Sequence, residues 1–396
     1  MASCASCGKQ SNALKTCTAC KSVKYCGREC QTAHRKEHRK ACKKRARELA
    51  EEAELISVLK DATMKPVGED SPYLPVVDLP PEGACCWICL GEGDDEHGMP
   101  LMRDCACRGD AGFSHPLCIA KYCRQKCDRI DAGSRNVQAS LENWADCHNC
   151  KMQHRGLLGL GLAEAHMLAV KNKMPNDLEV FGAKKDLGCR LIDGANQIRD
   201  RRKNGCALAR KDLRRALHIF EEQVKILEAG LGFDQQTTMC LVGDALKKCA
   251  RCHQWLGEVD NELSYYRRAQ DVNTECIKLF GMDGTAASLT MSTNAEIERI
   301  TGEKAPPLDE GFIDGLKADI QMMTKDLGED NAIIYNMQHE LVMMLRSRND
   351  YEEALGVITN LLSRAQRTLG RNHDLTKEYE ATLSDLQRTM CSKESK

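Results

Sequence analysis

The second half of the chain has the hydrophobic pattern of amphipathic helices. Leu213, Leu217, Phe220, Val224 and Leu227 recur at spacings of three and four residues, which places them on one face of a helix. Few prolines occur after residue 156. We therefore predict a helical connector over residues 156–208 and an all-helical domain over residues 209–392.

Residues 156–170 form the most apolar stretch of the chain. The stretch is short and carries Glu164 and His166, whereas a membrane-spanning helix needs about 20 apolar residues. The pattern predicts a buried helix and no contact with a membrane.

A short phrase returns through the helical half and indicates a repeat. Its four copies are Leu231-Gly232-Phe233-Asp234, Phe280-Gly281-Met282-Asp283, Leu327-Gly328-Glu329-Asp330 and Leu369-Gly370-Arg371-Asn372. The last unit also carries Tyr351 and Ala354. These units resemble tetratricopeptide repeats of the kinesin-light-chain kind, in which the Gly ends a helix before a loop. The resemblance implies a curved surface for peptides, and an ordinary helical bundle is the alternative.

The N-terminal half contains a charged helix and a proline-rich segment. Residues 35–47 are strongly basic, and Leu55, Ile56 and Leu59 form an apolar stripe among acidic residues that follow, which predicts a charged helix over 43–62. We interpret its basic residues as a solvated helix face, and a nuclear-import signal is the alternative. The segment has no interleaved aromatic residues, so it does not indicate binding to nucleic acid. Five prolines within residues 63–84 predict an extended linker.

Composition adds one strong signal, which is cysteine. The chain has 396 residues, enough for two or three domains, a net charge of −1 and 24 Cys. The N-terminus has no basic start followed by an apolar run, so we expect no signal peptide. Paired cysteines without such a signal favour zinc thiolates in a reducing compartment. We therefore expect an intracellular protein, cytoplasmic or nuclear.

Residues 1–42 contain four pairs of potential zinc ligands. The pairs are Cys4 and Cys7, Cys17 and Cys20, Cys26 and Cys30, and His38 and Cys42. The spacing of the last two pairs suits one face of a helix. The run from Lys24 to Gln31, followed by His38 and Cys42, resembles a MYND finger. That resemblance implies that the first and third pairs bind one zinc ion, that the second and fourth bind another, and that the finger binds peptides.

Residues 85–155 contain a second set of four pairs. They are Cys86 and Cys89, Cys105 and Cys107, His115 and Cys118, and Cys147 and Cys150. Eight Cys or His ligands fill two closed tetrahedral sites, which are structural. The order and spacing resemble the RING-CH finger of ubiquitin ligases, and a PHD finger is the alternative. The resemblance implies the same interleaving. Cys85, Cys123 and Cys127 are further thiols in this region, so one of them could replace a predicted ligand. We interpret Cys123 and Cys127 as buried thiols on one face of a helix.

The RING-CH resemblance implies a docking groove for a ubiquitin-conjugating enzyme. Ile88 lies between two ligands, where we expect its side chain to point outward without supporting a core. Trp87 and Trp144 either add to the groove or fill a core. Lys151 follows the last ligand, where a basic residue can contact the enzyme and ubiquitin, or it is an ordinary solvated Lys. We predict no catalytic residue.

Cys249, Cys252 and His253 match the string that attaches haem, but we interpret them as buried residues of a helix.

The sequence thus predicts small zinc-stabilised α+β fingers followed by an all-α helical-repeat domain. We expect four zinc ions, two in each finger, and a helical half from Gly156 onward that folds separately. The predicted function is a RING-CH-type ubiquitin ligase that binds a ubiquitin-conjugating enzyme and protein or peptide ligands. We expect no small-molecule substrate and no nucleic acid. The alternative is a non-catalytic zinc-finger adaptor.

Overall fold

The computed structural model describes residues 2–64, 80–109, 111–129, 137–199, 207–230, 232–280, 284–303, 310–371 and 373–394. Most of the predicted linker, residues 65–79, lies outside this set, as do Gly281 and its two following residues. The described part consists of small N-terminal modules followed by helices, which confirms the predicted fold class.

The N-terminal finger has a short antiparallel hairpin and two helices. The hairpin pairs β1 (Lys15–Thr16) with β2 (Lys24–Tyr25). After it come α1 (Arg28–Ala33) and α2 (Arg35–Thr63), a helix that leaves the finger and runs for 29 residues.

The two halves of α2 have different surroundings. Its basic half is exposed, and Leu55 and Leu59 in its second half are buried. Acidic residues of that second half form ion pairs with the second finger, including Glu51 with Arg124 at 2.9 Å and Glu52 with Lys121. The acidic end of this helix therefore forms an interface with the second finger.

The second finger contains α3 (Pro116–Arg129) and α4 (Val137–Ala145). The remaining helices are α5 (Gly156–Val170), α6 (Leu178–Arg199), α7 (Ala207–Glu228), α8 (Gln235–Leu256), α9 (Val259–Phe280), α10 (Gly284–Thr301), α11 (Glu310–Leu327), α12 (Ala332–Ser347), α13 (Tyr351–Thr368) and α14 (Asp374–Glu394). From α6 onward, each packs mainly on the helices before and after it in sequence, an arrangement that fits helical repeats.

The returning phrase supplies helix ends. Gly232, Gly328 and Gly370 have φ values of 77°, 83° and 92°, a left-handed conformation that Gly adopts without steric cost. The residues that follow begin the next helix. Asp234 accepts a hydrogen bond from the Thr237 amide at 2.8 Å as the N-cap of α8.

Helix α5 is buried on nearly all sides, as predicted. It packs against α2, the second finger and α6. Gly161 permits the close approach of α2, since a Cβ there would lie 2.7 Å from Cγ2 of Thr63. Among the described residues, no helix is long and apolar enough to span a membrane.

The helical half does not begin at a break in the core. The largest core contains residues of α2, the second finger and helices α5 to α8, including Leu59, Met102, Leu158 and Phe220. A second core joins Met152 of the finger to helices α11 to α14. This packing contradicts the expectation that the helices from Gly156 onward depend only on one another.

The second finger also positions α5 through polar contacts. Asp104 accepts a hydrogen bond from the Leu158 amide at 2.8 Å, and its carbonyl accepts one from the Arg155 amide at 2.8 Å. The carboxylate thus satisfies a free amide in the first turn of α5. At the other end of the array, Arg108 donates to the Arg367 carbonyl at 2.9 Å. The finger therefore contacts both ends of the helical array.

Candidate zinc centres and docking surface

The four Cys-x2-Cys pairs adopt the same backbone turn. In each, the amide of the residue four positions after the first Cys donates to that Cys carbonyl. The donors and acceptors are Gly8 to Cys4 at 2.9 Å, Lys21 to Cys17 at 2.9 Å, Leu90 to Cys86 at 2.7 Å and Lys151 to Cys147 at 2.9 Å. We call each turn a knuckle. It directs two thiols toward one point.

The donor residue of every knuckle has a left-handed backbone. The φ values are 74° at Gly8, 52° at Lys21, 61° at Leu90 and 61° at Lys151. Three of the four are not Gly, and a left-handed residue with a side chain costs about 1–2 kcal/mol. The turn is therefore imposed by the fold around the thiols and not by local preference.

The knuckles and helices bring sixteen ligand atoms into four groups. In each group all four atoms lie within 4.8 Å of one another. The groups are Cys4, Cys7, Cys26 and Cys30; Cys17, Cys20, His38 and Cys42; Cys86, Cys89, His115 and Cys118; and Cys105, Cys107, Cys147 and Cys150. This is the interleaved grouping that the sequence predicts.

The distances within the groups suit tetrahedral zinc. The Cys7 and Cys26 sulfurs are 3.6 Å apart, the Cys17 and Cys42 sulfurs 3.8 Å, and Nε2 of His38 lies 3.2 Å from a thiol. Zn–S bonds of about 2.3 Å in a tetrahedron place two sulfurs about 3.8 Å apart. Cys₄ and Cys₃His sets of this size fit structural zinc.

The second finger fixes the orientation of its His ligand. Nε2 of His115 donates to the Gly93 carbonyl at 3.0 Å, so Nδ1 is left to bind metal. Nδ1 lies 3.4 Å from the Cys89 sulfur and 3.7 Å from the Cys118 sulfur. An outer hydrogen bond of this kind sets the tautomer of a metal-binding His.

The thiols of one group do not all ionise easily without a cation. Amide donors, that of Cys7 foremost, lower the pKa of Cys4 to about 6. Hydrogen bonds with neighbouring sulfurs, that of Cys30 foremost, raise the pKa of Cys26 to about 12. In the second finger burial raises the pKa of Cys118 to about 12. A divalent ion is needed to hold four such ligands deprotonated together.

The extra thiols remain outside the four groups. Cys123 is buried in α3, and burial raises its pKa. Cys127 is half-buried beside Ser140, whose hydroxyl lies 3.3 Å from its sulfur. Cys249 and Cys252 are fully buried in α8, which agrees with their interpretation as helix core.

The two tryptophans of the second finger have different roles. Trp144 is buried and stacks on His166 with ring centroids 5.1 Å apart, so it fills the core. Trp87 is half-buried, and its ring meets Tyr122 edge to face at 5.1 Å.

An aromatic cluster joins the first and last knuckles of this finger. Tyr122 of α3 lies 4.7 Å from His148, and Trp87 lies 6.4 Å from it. Burial, with Lys126 and Lys151 nearby, lowers the pKa of His148 to about 4, so the ring is neutral near pH 7. The predicted docking residues Trp87 and Lys151 thus flank a neutral imidazole.

Tyr122, His148 and Leu90 were not among the residues predicted to have a role. Leu90 is 75% exposed beside Ile88, although its type is apolar. His148 stands between two ligands, at the position that Trp87 has in the first knuckle, and this was the signal available.

The expectation that the Ile88 side chain points outward without supporting a core is wrong. Ile88 is half-buried and packs against two cores, one shared with α2 and α5 and one inside the finger around Phe113. Its apolar side chain is therefore partly covered.

Comparisons with known proteins agree with both sets of ligands. Residues 4–42 match the MYND finger family, and residues 86–150 match the RING-variant domain. Over 93 residues the chain is 29% identical to the ERAD-associated E3 ubiquitin-protein ligase DOA10 of Saccharomyces cerevisiae. That stretch is 24% of this chain and 6% of the yeast protein. Both kinds of domain bind zinc. The chain thus carries a MYND finger at residues 4–42 and a RING-variant domain at residues 86–150.

Proposed function

We propose that the protein is a RING-CH-type ubiquitin ligase. The observation that carries the proposal is the cross-braced RING-variant domain, whose two ligand groups hold the first and last knuckles side by side. The rings of Trp87 and His148 then lie 6.4 Å apart, Lys151 is close enough to affect the charge of His148, and Ile88 and Leu90 belong to the same knuckle as Trp87. These residues form the docking surface for a ubiquitin-conjugating enzyme. The similarity of part of the chain to a yeast ubiquitin ligase supports the same reaction.

The chemistry on this surface is positioning. The finger binds the loaded conjugating enzyme and orients its thioester toward a substrate lysine, which accelerates transfer by proximity. No side chain of the finger forms a covalent intermediate. Zinc, two ions in each finger and four in all, holds the knuckles in place without an open coordination position.

The MYND finger and the helices recruit the protein substrate. The helices from α7 onward act as tetratricopeptide-like repeats of the kinesin-light-chain kind. Support comes from neighbour-to-neighbour packing and from Gly328 and Gly370, which lie at the C-terminal ends of α11 and α13. Zinc thiolate sites favour a reducing compartment, so the cytoplasm or the nucleus is part of this proposal.

The test is ubiquitin transfer by the purified, zinc-loaded chain. The chain is mixed with activating enzyme, ubiquitin and a panel of conjugating enzymes, and chain formation is followed over time. We expect transfer with at least one conjugating enzyme, and none when His115→Ala opens a zinc site. No transfer across the whole panel would contradict the proposal.

A non-catalytic adaptor is the second candidate, and the burial of Ile88 favours it. An apolar residue that packs against two cores offers less surface to a docking groove. The adaptor would hold partners through both fingers and the helices. It is supported if a conjugating enzyme neither binds the chain nor transfers ubiquitin, while peptide ligands bind normally.

A further inference from the structure

The MYND finger has a cleft that the zinc sites do not explain. Its volume is about 500 Å³, and it lies between the second ligand group, Tyr25 and one face of α1 and α2. The charged residues that line it are Arg28, Arg35, Arg39 and Lys43, and the lining includes no carboxylate. All four are exposed.

These four cations have no ion-pair partner in the part of the chain that the structure describes. Other basic residues of the same helix do, such as Arg45 with Glu48 at 3.0 Å and Arg47 with Glu51 at 2.9 Å. The cleft therefore keeps its positive charge available. A zinc ion in the second ligand group would leave one formal negative charge at the floor of the cleft, because its ligands are three thiolates and a neutral His38. The four cations outnumber that charge.

The cations of α2 form a row. Arg35, Arg39 and Lys43 are four residues apart, so they share a face and follow one another at about 6 Å along the axis. Side chains on one face of an extended peptide recur at about 6.6–6.8 Å. A row at this spacing matches alternate residues of an extended chain, whereas a small anion would need converging donors.

The positive surface is too short for a nucleic acid. Glu37 lies within the basic run, and the acidic half of α2 begins at Glu48, two residues after the last residue that lines the cleft. The RING-variant domain covers the helix beyond it. Duplex binding uses many phosphate contacts, and the cleft has few aromatic residues on which single-stranded bases could stack.

We propose that this cleft binds an extended acidic peptide of a partner protein, with carboxylates at alternate positions facing Arg35, Arg39 and Lys43. The proposal rests on the part of the proposed function in which the MYND finger holds a partner. It does not depend on ubiquitin transfer, so failure of the ligase assay leaves it standing.

The test measures binding of fluorescent peptides to the zinc-loaded full chain by anisotropy at low ionic strength. One peptide has Glu at alternate positions, one has the same composition with its Glu in a block, and one is neutral and contains proline. A single-stranded oligonucleotide of the same length is the fourth ligand. We expect the alternate peptide to bind tightest and to weaken as salt rises.

The variants separate the row from general charge. Arg39→Gln/Lys43→Gln removes two cations from the cleft, and Lys40→Gln/Lys44→Gln removes two exposed cations from the adjacent face of the same helix. We expect the first pair to weaken binding roughly three- to tenfold and the second to change it less than about twofold. Zinc content and helicity are measured for both, so a folding defect is detected separately.

Three results would overturn the proposal. Equal weakening by both double variants would mean non-specific charge attraction. Equal binding of the neutral proline peptide would mean that charge does not select the ligand. Tighter binding of the oligonucleotide than of any peptide would assign the cleft to nucleic acid.

Discussion

The two fingers use the same knuckles and the same interleaved ligands, but they are held differently. The buried core of the MYND finger consists of Cys4, Cys17, Cys20 and Tyr25, so three of its four buried residues are ligands. The RING-variant domain contributes to two large cores that it shares with α2 and with the helices at both ends of the array. Zinc ligands therefore make up most of the core of the MYND finger, whereas in the RING-variant domain they add to cores that other residues form.

This difference has a functional consequence. The MYND finger stands at the free end of α2, where losing its metal should affect a local module. In the RING-variant domain, Asp104 caps α5 and Arg108 reaches α13, so the metal sites and the helices should respond together.

We expect the largest difference between the two fingers when each is removed from the chain. A fragment that begins at residue 43 keeps the buried half of α2 and should fold with its helices intact. A fragment that begins at Gly156 exposes Leu157, Leu158 and Leu160, which are now buried, and should lose stable helical packing. Circular dichroism and thermal melting measure both. A cooperative melt of the shorter fragment would contradict the shared core.

Single zinc ligands should show the same asymmetry at full length. His115→Ala opens a site in the RING-variant domain and His38→Ala opens one in the MYND finger, and a structural zinc site is worth on the order of 10 kcal/mol. Each should lower bound zinc, and only His115→Ala should lower the melting temperature of the helices. Metal analysis and calorimetry check this. Equal melting shifts would show that both fingers are local modules.

Trp144 should matter more to stability than Trp87. Trp144→Ala removes a fully buried ring that stacks on His166, and such a change costs about 3–5 kcal/mol. Trp87→Ala should cost less because that ring is half-buried, and it should reduce binding of a conjugating enzyme. Chemical denaturation measures the first effect, and binding of conjugating enzyme measures the second. If Trp87→Ala were more destabilising than Trp144→Ala, the two assigned roles would be wrong.

The sequence predicted the parts of the sites that depend on spacing. Pairs such as Cys86 and Cys89 carry their geometry in two intervening residues, and the returning Gly marks helix ends by its backbone freedom. The contact of Asp104 with Leu158 joins residues 54 positions apart, and that of Arg108 with Arg367 joins residues 259 apart. No local pattern indicates such pairs.

The surroundings of Ile88 were mispredicted for the same reason. Its place between two ligands predicted an outward side chain, because a knuckle considered alone has no core beneath it. One of the two cores that cover it includes residues of α2 and α5, which are distant in sequence. The assignment of the four ligand groups needed no such knowledge, since the family spacing already contained it.

Ile88→Ala should therefore reduce both stability and ubiquitin transfer. We expect a loss of about 1–2 kcal/mol, below the 2–5 kcal/mol of a fully buried Ile, and slower transfer because a shallow groove loses an anchor. Ile56→Ala is the matched control, since Ile56 of α2 is also half-buried against the same core. It should cost similar stability and leave transfer unchanged. If both variants slow transfer equally, Ile88 acts only through folding.

The smallest stability effect is expected at Lys151, where backbone and charge can be separated. Lys151→Gly removes a side chain from a left-handed position, and the gain offsets the greater freedom of Gly in the unfolded chain. Stability should stay within about 0.5 kcal/mol of the unmodified protein. Ubiquitin transfer should nevertheless fall, because the cation beside His148 is lost from the docking surface. Thermal melting and single-turnover transfer measure the two quantities.

The two fingers supply the control for this change. Lys21 occupies the same knuckle position in the MYND finger, with a φ of 52° against 61° at Lys151. Lys21→Gly makes the same backbone change and the same charge change away from the docking surface, so it should leave transfer intact. Lys151→Arg keeps the charge and the left-handed residue, and it should keep transfer. If Lys151→Gly transfers ubiquitin as well as Lys21→Gly does, Lys151 is an ordinary solvated residue of its knuckle, and docking depends on the apolar side chains alone.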